Sequence, residues 1–319
     1  MQCVSFSRRK FLTASSAAAA ALLLPGSRAS ADEFKTKLHK AQMVGKVVEA
    51  EMTAVKAAGF EGVEARDVCA EDVAAKIREW VEKMGLRVHS VLLGWMEFNS
   101  PDPKKVEASI EKVKAALRAA KGYGSDAILA VPCRVDAKLA PPPGTLLQLE
   151  FDERNGHINR IVKDENEKYA EYIKAHDYAT DSSRAAVEKL IPLAEELKVV
   201  IGLENVWNNL WLKPEIYKHF VASFKSPWVK AYFDIGNHVR YSPPEEWIKI
   251  LGPLLVKLHM KDYHLGQKKF VQLRDGSVDW PAVRKALDEA GYNGWGTIEG
   301  GALSLEELDK RFDLICAGK

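Results

Sequence analysis

Three carboxylates and one imidazole, Glu204, Asp234, His259 and Glu299, stand where four apolar runs give out in the last third of a 319-residue chain. The runs are VVIGLENVW (199–207), WVKAYFDIGNH (228–238), LLVKLHMKD (254–262) and NGWGTIEGG (293–301). Such a donor set suits one divalent cation, Mn²⁺, Co²⁺, Mg²⁺ or Zn²⁺. Each run has the apolar length of a buried strand, and the stretches between them read as helix or loop. A parallel barrel carries its chemistry at the C-terminal ends of its strands, so the four side chains are expected to converge on one mouth. The alternative is four surface residues that merely follow strands, and their recurrence in successive units argues against it.

Alternation along a strand decides which side chains face the barrel interior. It turns Glu204, Gly202 and Val200 inward, and Leu203, Ile201 and Val199 toward the helices. Gly202 then leaves room below a metal, and the same rule turns Glu299 and Thr297 inward. Upstream, 38–44 reads as a weak first strand, and 49–58 has helical spacing that stops at Gly59. A short strand follows around Val63 and Glu64, then an amphipathic helix over 70–84 that ends at Gly85. LRVHSVLLG (86–94) is the third strand, Pro103 opens a long helix closed near Gly122 and Gly124, and DAILAVP (126–132) is the fourth strand.

Pro141-Pro142-Pro143-Gly144 breaks this rhythm, and 146–162 alternates like two strands around Asn155-Gly156, a hairpin-turn signal. The region 140–163 is therefore expected to be a β-hairpin insertion on the barrel mouth, either a structural decoration or a substrate lid. Helix resumes over 165–197, with an interruption expected near Asp181-Ser182. Four strand–helix units complete the chain, the last helix opened by a Ser304-x-x-Glu307 capping box. Strands alternating with helices in this way predict an α/β fold, the (β/α)8 TIM barrel.

A formal net charge of +2 gives no field that would make nucleic acid the default partner, and 47% hydrophobic residues suffice for a full core. The N-terminus differs from the rest. Ser7-Arg8-Arg9-Lys10-Phe11-Leu12 precedes an Ala/Leu run to Leu24, then Pro25-Gly26 and Ala29-Ser30-Ala31. A charged start, a short apolar stretch and an A-x-A-like site predict a signal peptide over 1–31, with the barrel over 32–319. The paired arginines resemble a twin-arginine signal, which exports folded proteins, here to the periplasm. The apolar run is about half a bilayer span, so no membrane association is expected after cleavage. Cys69, Cys133 and Cys316 would remain, widely spaced and without C-x-x-C, so neither a zinc knuckle nor a disulfide framework is written.

GFEGVE (59–64), LEN (203–205), FD-x-G-N (233–237), H-x-K-D (259–262) and the terminal Ile298-Glu299, in that order along the chain, resemble the sugar phosphate isomerase/epimerase family. This is the xylose isomerase-like TIM barrel group, related to ketose 3-epimerases and, more distantly, to endonuclease IV. The resemblance covers essentially the whole mature chain. It implies one divalent metal ion held by Glu204, Asp234, His259 and Glu299, and a small-molecule keto-sugar chelated to it. Glu204 and Glu299 would also be the catalytic pair, taking a proton from one face of a metal-stabilised enediolate and returning one to the other.

Around this centre, Glu64, Asn205, Trp207, Asn237, His238 and Lys261 are expected to bind substrate. Glu64 meets a sugar hydroxyl, orients a basic partner, or forms a simple salt bridge across the barrel with Arg66 or Lys257. Lys257 faces inward and needs a carboxylate. Trp207 is an aromatic platform or plain packing, Lys261 a proton donor or oxyanion clamp, and Asp262 a helix cap or a partner for His259. His89 is a core or a mouth residue. Ketose 3-epimerases and endonuclease IV carry a histidine three residues after the metal aspartate. Here that position is Asn237, and His238 follows, which argues against a three-metal nuclease site. The function expected is a metal-dependent sugar isomerase or epimerase. The alternatives are a lyase or hydratase on 3-keto-sugars or glycosides, a non-catalytic sugar-binding barrel and, least favoured, a nuclease. A homo-oligomer is allowed by this reading; nucleic acid as a partner is not expected.

Overall fold

The structure is a computed structural model and describes residues 34–319 apart from Pro143 and Leu146. The twin-arginine segment read over 1–31 lies outside the described residues. The first half runs β1 (Leu38–Val44), α1 (Glu49–Ala58), β2 (Gly62–Ala65), α2 (Glu71–Lys83), β3 (Arg87–Trp95), α3 (Pro103–Tyr123) and β4 (Ala127–Val131). Local chemistry sets these ends. Gly59 closes α1 in the left-handed region at φ 106°, and Asp102 caps α3 by accepting the Lys104 N–H at 2.9 Å, with Pro103 at the first turn.

A hairpin follows, β5 (Glu150–Phe151) and β6 (Ile158–Arg160), then α4 (Ala170–Glu188) and α5 (Ile191–Leu197). The interruption expected near Asp181-Ser182 falls instead at Lys189-Leu190. Ser182 stays helical by donating its hydroxyl back to the Tyr178 carbonyl. Pro192, four residues after Glu188, has no N–H to continue the ladder, so the helix stops there.

The second half runs β7 (Val200–Leu203), α6 (Pro214–Ser223), β8 (Val229–Asp234), the one-turn α7 (Ile235–His238) and α8 (Pro244–Leu251). It ends with β9 (Leu255–Met260), β10 (Asp262–His264), β11 (Lys269–Val271), α9 (Trp280–Glu289), β12 (Gly294–Ile298) and α10 (Leu305–Cys316). Ser304 caps α10 from its hydroxyl at 3.3 Å, but Glu307 pairs with Arg311 at 3.0 Å rather than reaching back, so only half of the expected capping box forms.

Eight strands close a parallel barrel in the order β1-β12-β9-β8-β7-β4-β3-β2, the TIM barrel that the alternation predicts. The helices cover its outside, and most of the apolar core lies between the two layers. The barrel's own interior is a smaller apolar layer around Leu129, Val131 and Tyr232. At its lower end Lys257 is buried against Asp126 at 2.6 Å, the carboxylate an inward ammonium requires. His89 is a core residue: its Nε2 lies 2.8 Å from Thr297 Oγ1, and its ring stacks on Trp295. Among the described residues, no helix is long and apolar enough to cross a membrane.

The antiparallel ribbon β10–β11 is absent from the sequence reading, which ran the seventh strand straight to Asp262. The inserted hairpin also differs from expectation. Four residues, 153–156, separate its closing pair, and it docks on the flank of the barrel rather than over the mouth. Arg184 of α4 donates to the Asn155 carbonyl at 2.7 Å, and His219 of α6 meets the Glu153 carbonyl at 2.6 Å.

Candidate active site

Glu204, Asp234 and His259 stand at the C-terminal ends of three adjacent barrel strands, β7, β8 and β9: just past the first, last in the second and next to last in the third. Each offers a ligand atom within 4.8 Å of the other two, and all three side chains are buried. His259 owes its orientation to a chain of contacts through the barrel. A Cβ on Gly202 would lie 2.7 Å from the Ile128 carbonyl and 2.9 Å from the Tyr232 ring, so glycine makes the space Tyr232 fills. Tyr232 donates its hydroxyl to Glu64 Oε1 at 2.6 Å, and Glu64 Oε2 pairs with His259 Nε2 at 2.6 Å. The hydrogen on Nε2 is thereby directed at Glu64, which points Nδ1 toward Glu204 and Glu299, 3.9 and 3.7 Å away.

Two atoms in this cluster lack hydrogen-bond partners, Asp234 Oδ2 and His259 Nδ1. Asp234 Oδ1 is satisfied, accepting the Asn237 N–H at 2.8 Å as the cap of α7. Leaving a buried polar atom unpaired costs about 1–3 kcal/mol. Two such atoms close together beside the Glu204 carboxylate are what a cation would satisfy. Electrostatics agree. Burial, together with mutual repulsion among the acids, pushes the Glu204 and Asp234 carboxyls above their ordinary range. Burial lowers His259, but Glu64, Glu204 and Glu299 outweigh it and raise the imidazole to about 10. A proton on Nδ1 and a metal ion would compete for the same place. By donor type and by orphaned atoms, the residues fit a divalent cation.

Glu299, just past β12, stands beside this trio with its carboxylate turned to Lys261. Oε2 accepts from Lys261 Nζ at 2.8 Å, and the same ammonium lies 3.8 Å from Asp234 Oδ2. Burial would raise Glu299, but His259 and Lys261 hold it below its usual range.

Glu204 and His259 open on a cavity of about 720 Å³ that Glu299, Lys261, Asn237 and Trp207 also help to line. Asn237 reaches to 3.5 Å of Glu204 Oε1 with its amide nitrogen. Trp207 donates Nε1 to the Asn237 carbonyl at 2.8 Å and stacks on Phe270. Ala140, Pro141, Pro142, Gly144, Thr145 and Leu147 line the cavity too, so the stretch before the hairpin walls the site.

Three residues read as substrate-facing lie elsewhere. Glu64 is fully buried, with both oxygens engaged by Tyr232 and His259. Asn205 and His238 bond to each other, Oδ1 to Nε2 at 2.7 Å, outside the cavity lining. The cause is α7: the chain turns helical after Asp234, brings His238 Nδ1 to 2.6 Å from the Asp234 carbonyl, and sets the ring against Trp247 and Phe233. Asp262 caps no helix and does not touch His259; it accepts the N–H groups of Tyr263, Arg274, Gly276 and Val278 and the Trp280 indole. The sequence reading missed Trp95, Arg134, Arg240 and Phe270 in the cavity wall. Trp95 and Arg134 were within reach, since the strand-end rule applies to any residue type, not only to metal ligands.

The family model of xylose isomerase-like TIM barrels matches residues 52–310, and the chain belongs to that family. Among solved structures, the fold is similar to the 3-keto-D-glucoside 4-epimerase of E. coli, at TM-score 0.64 and 13% identity over 88% of this chain and 99% of that one. It is also similar to the D-allulose 3-epimerase of Methylomonas sp. solved with D-allulose, at TM-score 0.61 and 17% identity over 88% and 90% of the two chains. An uncharacterized protein of Methanocaldococcus jannaschii is 26% identical over 125 residues, 37% of this chain and 43% of that protein, so the chain matches less than half the length of this curated relative.

Proposed function

We propose that the protein is a divalent metal-dependent sugar isomerase or epimerase acting on a keto-sugar, with Glu204 and Glu299 as acid and base. The observation that carries this reading is the pair of orphaned atoms, Asp234 Oδ2 and His259 Nδ1, beside Glu204, which with His259 lines a cavity of about 720 Å³. Family membership and the epimerases among its structural neighbours support it.

Glu204, Asp234 and His259 would hold the ion, with Glu299 as the fourth ligand. When bound, a divalent ion supplies Lewis acidity that makes the C–H next to a sugar carbonyl removable. Glu204 and Glu299 follow β7 and β12, which β8 and β9 separate in the barrel, so they approach a bound sugar from different sides. One takes the proton and the other returns one to the opposite face, which inverts the carbon. Lys261 holds Glu299 in place and offers N–H groups to a developing oxyanion. Asn237 supplies an amide to a hydroxyl, and Trp207 a flat apolar wall. Glu64, behind His259, positions that ligand without touching substrate.

A second reading, a lyase or hydratase on a 3-keto-glycoside, is favoured by the cavity volume, which exceeds the needs of a single sugar ring. Incubation with Mn²⁺ and a panel of keto-sugars in D₂O separates the two. Deuterium beside the carbonyl is expected from the epimerase, and an accumulating unsaturated product from the lyase. Glu204→Gln and Glu299→Gln should each cut turnover about 10²–10⁴-fold. If both variants stay metal-loaded and turn over at the unaltered rate, the two-carboxylate mechanism is wrong. The reading of 1–31 as a twin-arginine signal places the enzyme in the periplasm, and N-terminal sequencing of periplasmic protein should begin at Asp32.

A further inference from the structure

The geometry points to an acidic substrate: a sugar that carries a carboxylate or a phosphate ester, held by arginines at the rim of the cavity that the metal-type residues line. The identity of the sugar rests on the function proposed above, but the anion site stands on its own residues. Arg66, Arg134 and Arg240 line the cavity that Glu204, His259 and Glu299 also line. The Arg134 guanidinium lies 4.0 Å over the Trp95 ring, and that of Arg240 lies 4.2 Å over the Trp207 ring. Among the described residues, none of the three makes an ion pair or a side-chain hydrogen bond. Lys261, in the same cavity, differs: it is bonded to Glu299. Arg66 and Arg134 are exposed and Arg240 is half-buried, so three unpaired cations gather at the rim of a cavity that Glu204 and Glu299 also line.

A guanidinium held over an indole by cation–π attraction spends none of its N–H groups on that contact, and these groups meet carboxylate or phosphate oxygens two at a time. The hydroxyls of a neutral sugar can accept from these N–H groups but leave the charge unmatched, whereas a carboxylate or phosphate accepts and neutralises at once. Charge is also sorted around the mouth. Glu204, Asp234, His259 and Glu299 come from the contiguous sector β7, β8, β9 and β12, whereas Arg66 follows β2 and Arg134 follows β4. A substrate with its carbonyl over the first sector would reach the second with its far end. Arg240, in the loop after α7, extends the cationic rim on the wall that Trp207 forms.

The test is calorimetric titration of the purified full chain, with and without Mn²⁺, using D-glucose, D-glucuronate and D-glucose 6-phosphate as probes. At least one anionic probe is expected to bind about tenfold or more tightly than glucose, with and without the metal. The tighter of the two identifies carboxylate or phosphate as the group recognised. Arg134→Gln/Arg240→Gln should erase the preference while Mn²⁺ content stays unchanged. Should that double variant misfold, Arg134→Lys, which keeps the charge but loses the two-pronged edge, should still weaken the preference. Equal binding of the three probes, no binding of any, or a preference that survives the arginine replacements overturns the inference. Failure to bind Mn²⁺ would count against the metal-centred function alone, because the anion readout does not require the ion.

Discussion

Glu64 is the residue whose role most depends on seeing what lies behind the site. Its two oxygens join Tyr232 to His259, so it decides which imidazole nitrogen is free to ligate. Glu64→Gln keeps the shape but presents an amide, which cannot accept at both positions. Mn²⁺ affinity should fall about 10–100-fold, read by metal titration, with the fold intact by circular dichroism. Unchanged affinity would reduce Glu64 to packing. Tyr232→Phe removes one neutral donor and should cost less. At this scale the sequence showed the donor set clearly, because Glu204, Asp234, His259 and Glu299 all end apolar runs. It also singled out Glu64, but did not show whether that side chain meets a sugar or another side chain. That depends on Gly202 admitting the Tyr232 ring from the neighbouring strand, which lets the Tyr232 hydroxyl reach Glu64 across the barrel, and no local pattern records either contact. His238 was misplaced for a similar reason: one helical turn after Asp234 rotates it to the back of the site, and a four-residue helix is too short to carry a period.

The loop between β11 and α9 is folded around a single side chain. Asp262, 1% exposed, accepts from four backbone N–H groups and one indole spread over Tyr263 to Trp280. Gly276 has no side chain there because a Cβ would lie 1.9 Å from Asp262 Oδ1. Asp262→Ala would strand several buried donors at once and should destabilise the protein by at least ~3 kcal/mol in urea unfolding. A loss below ~1 kcal/mol would show that water replaces the carboxylate. The ribbon beside this loop brings Phe270 to the cavity, yet its strands have three residues each, below the length at which alternation can be read. Longer elements were legible: Pro103 marked the start of α3, and Gly59 the end of α1, since both act locally. The break between α4 and α5 was misread because Ser182 has a cap-forming side chain but spends it on the turn behind. The proline that does break the helix lies ten residues later.

Across the whole molecule, burial of histidine couples the fold to pH. His176 on α4 is fully buried beside Asp177 and Tyr172, and desolvation lowers its imidazole below the ordinary value of 6.5. Between that depressed value and about 6.5, the unfolded chain binds a proton that the folded chain refuses. Stability should therefore be full above this window and decline as pH falls through it. Urea midpoints measured from pH 8 to pH 5 should drop at the acid end, and His176→Gln should flatten that slope. An unchanged slope in the variant would assign the acid sensitivity to other groups. Barrel closure has a separate consequence. β1 pairs with β12, Thr36 is bonded to Asp288, and Phe34 lies against Gly318, so the described chain returns to its own starting point. The order in which the eight units are strung is then a matter of where the ring is cut. A permuted chain that joins 319 to 34 through a short linker and opens between 153 and 156, on the flank and away from the mouth, should fold to the same barrel with the same Mn²⁺ affinity.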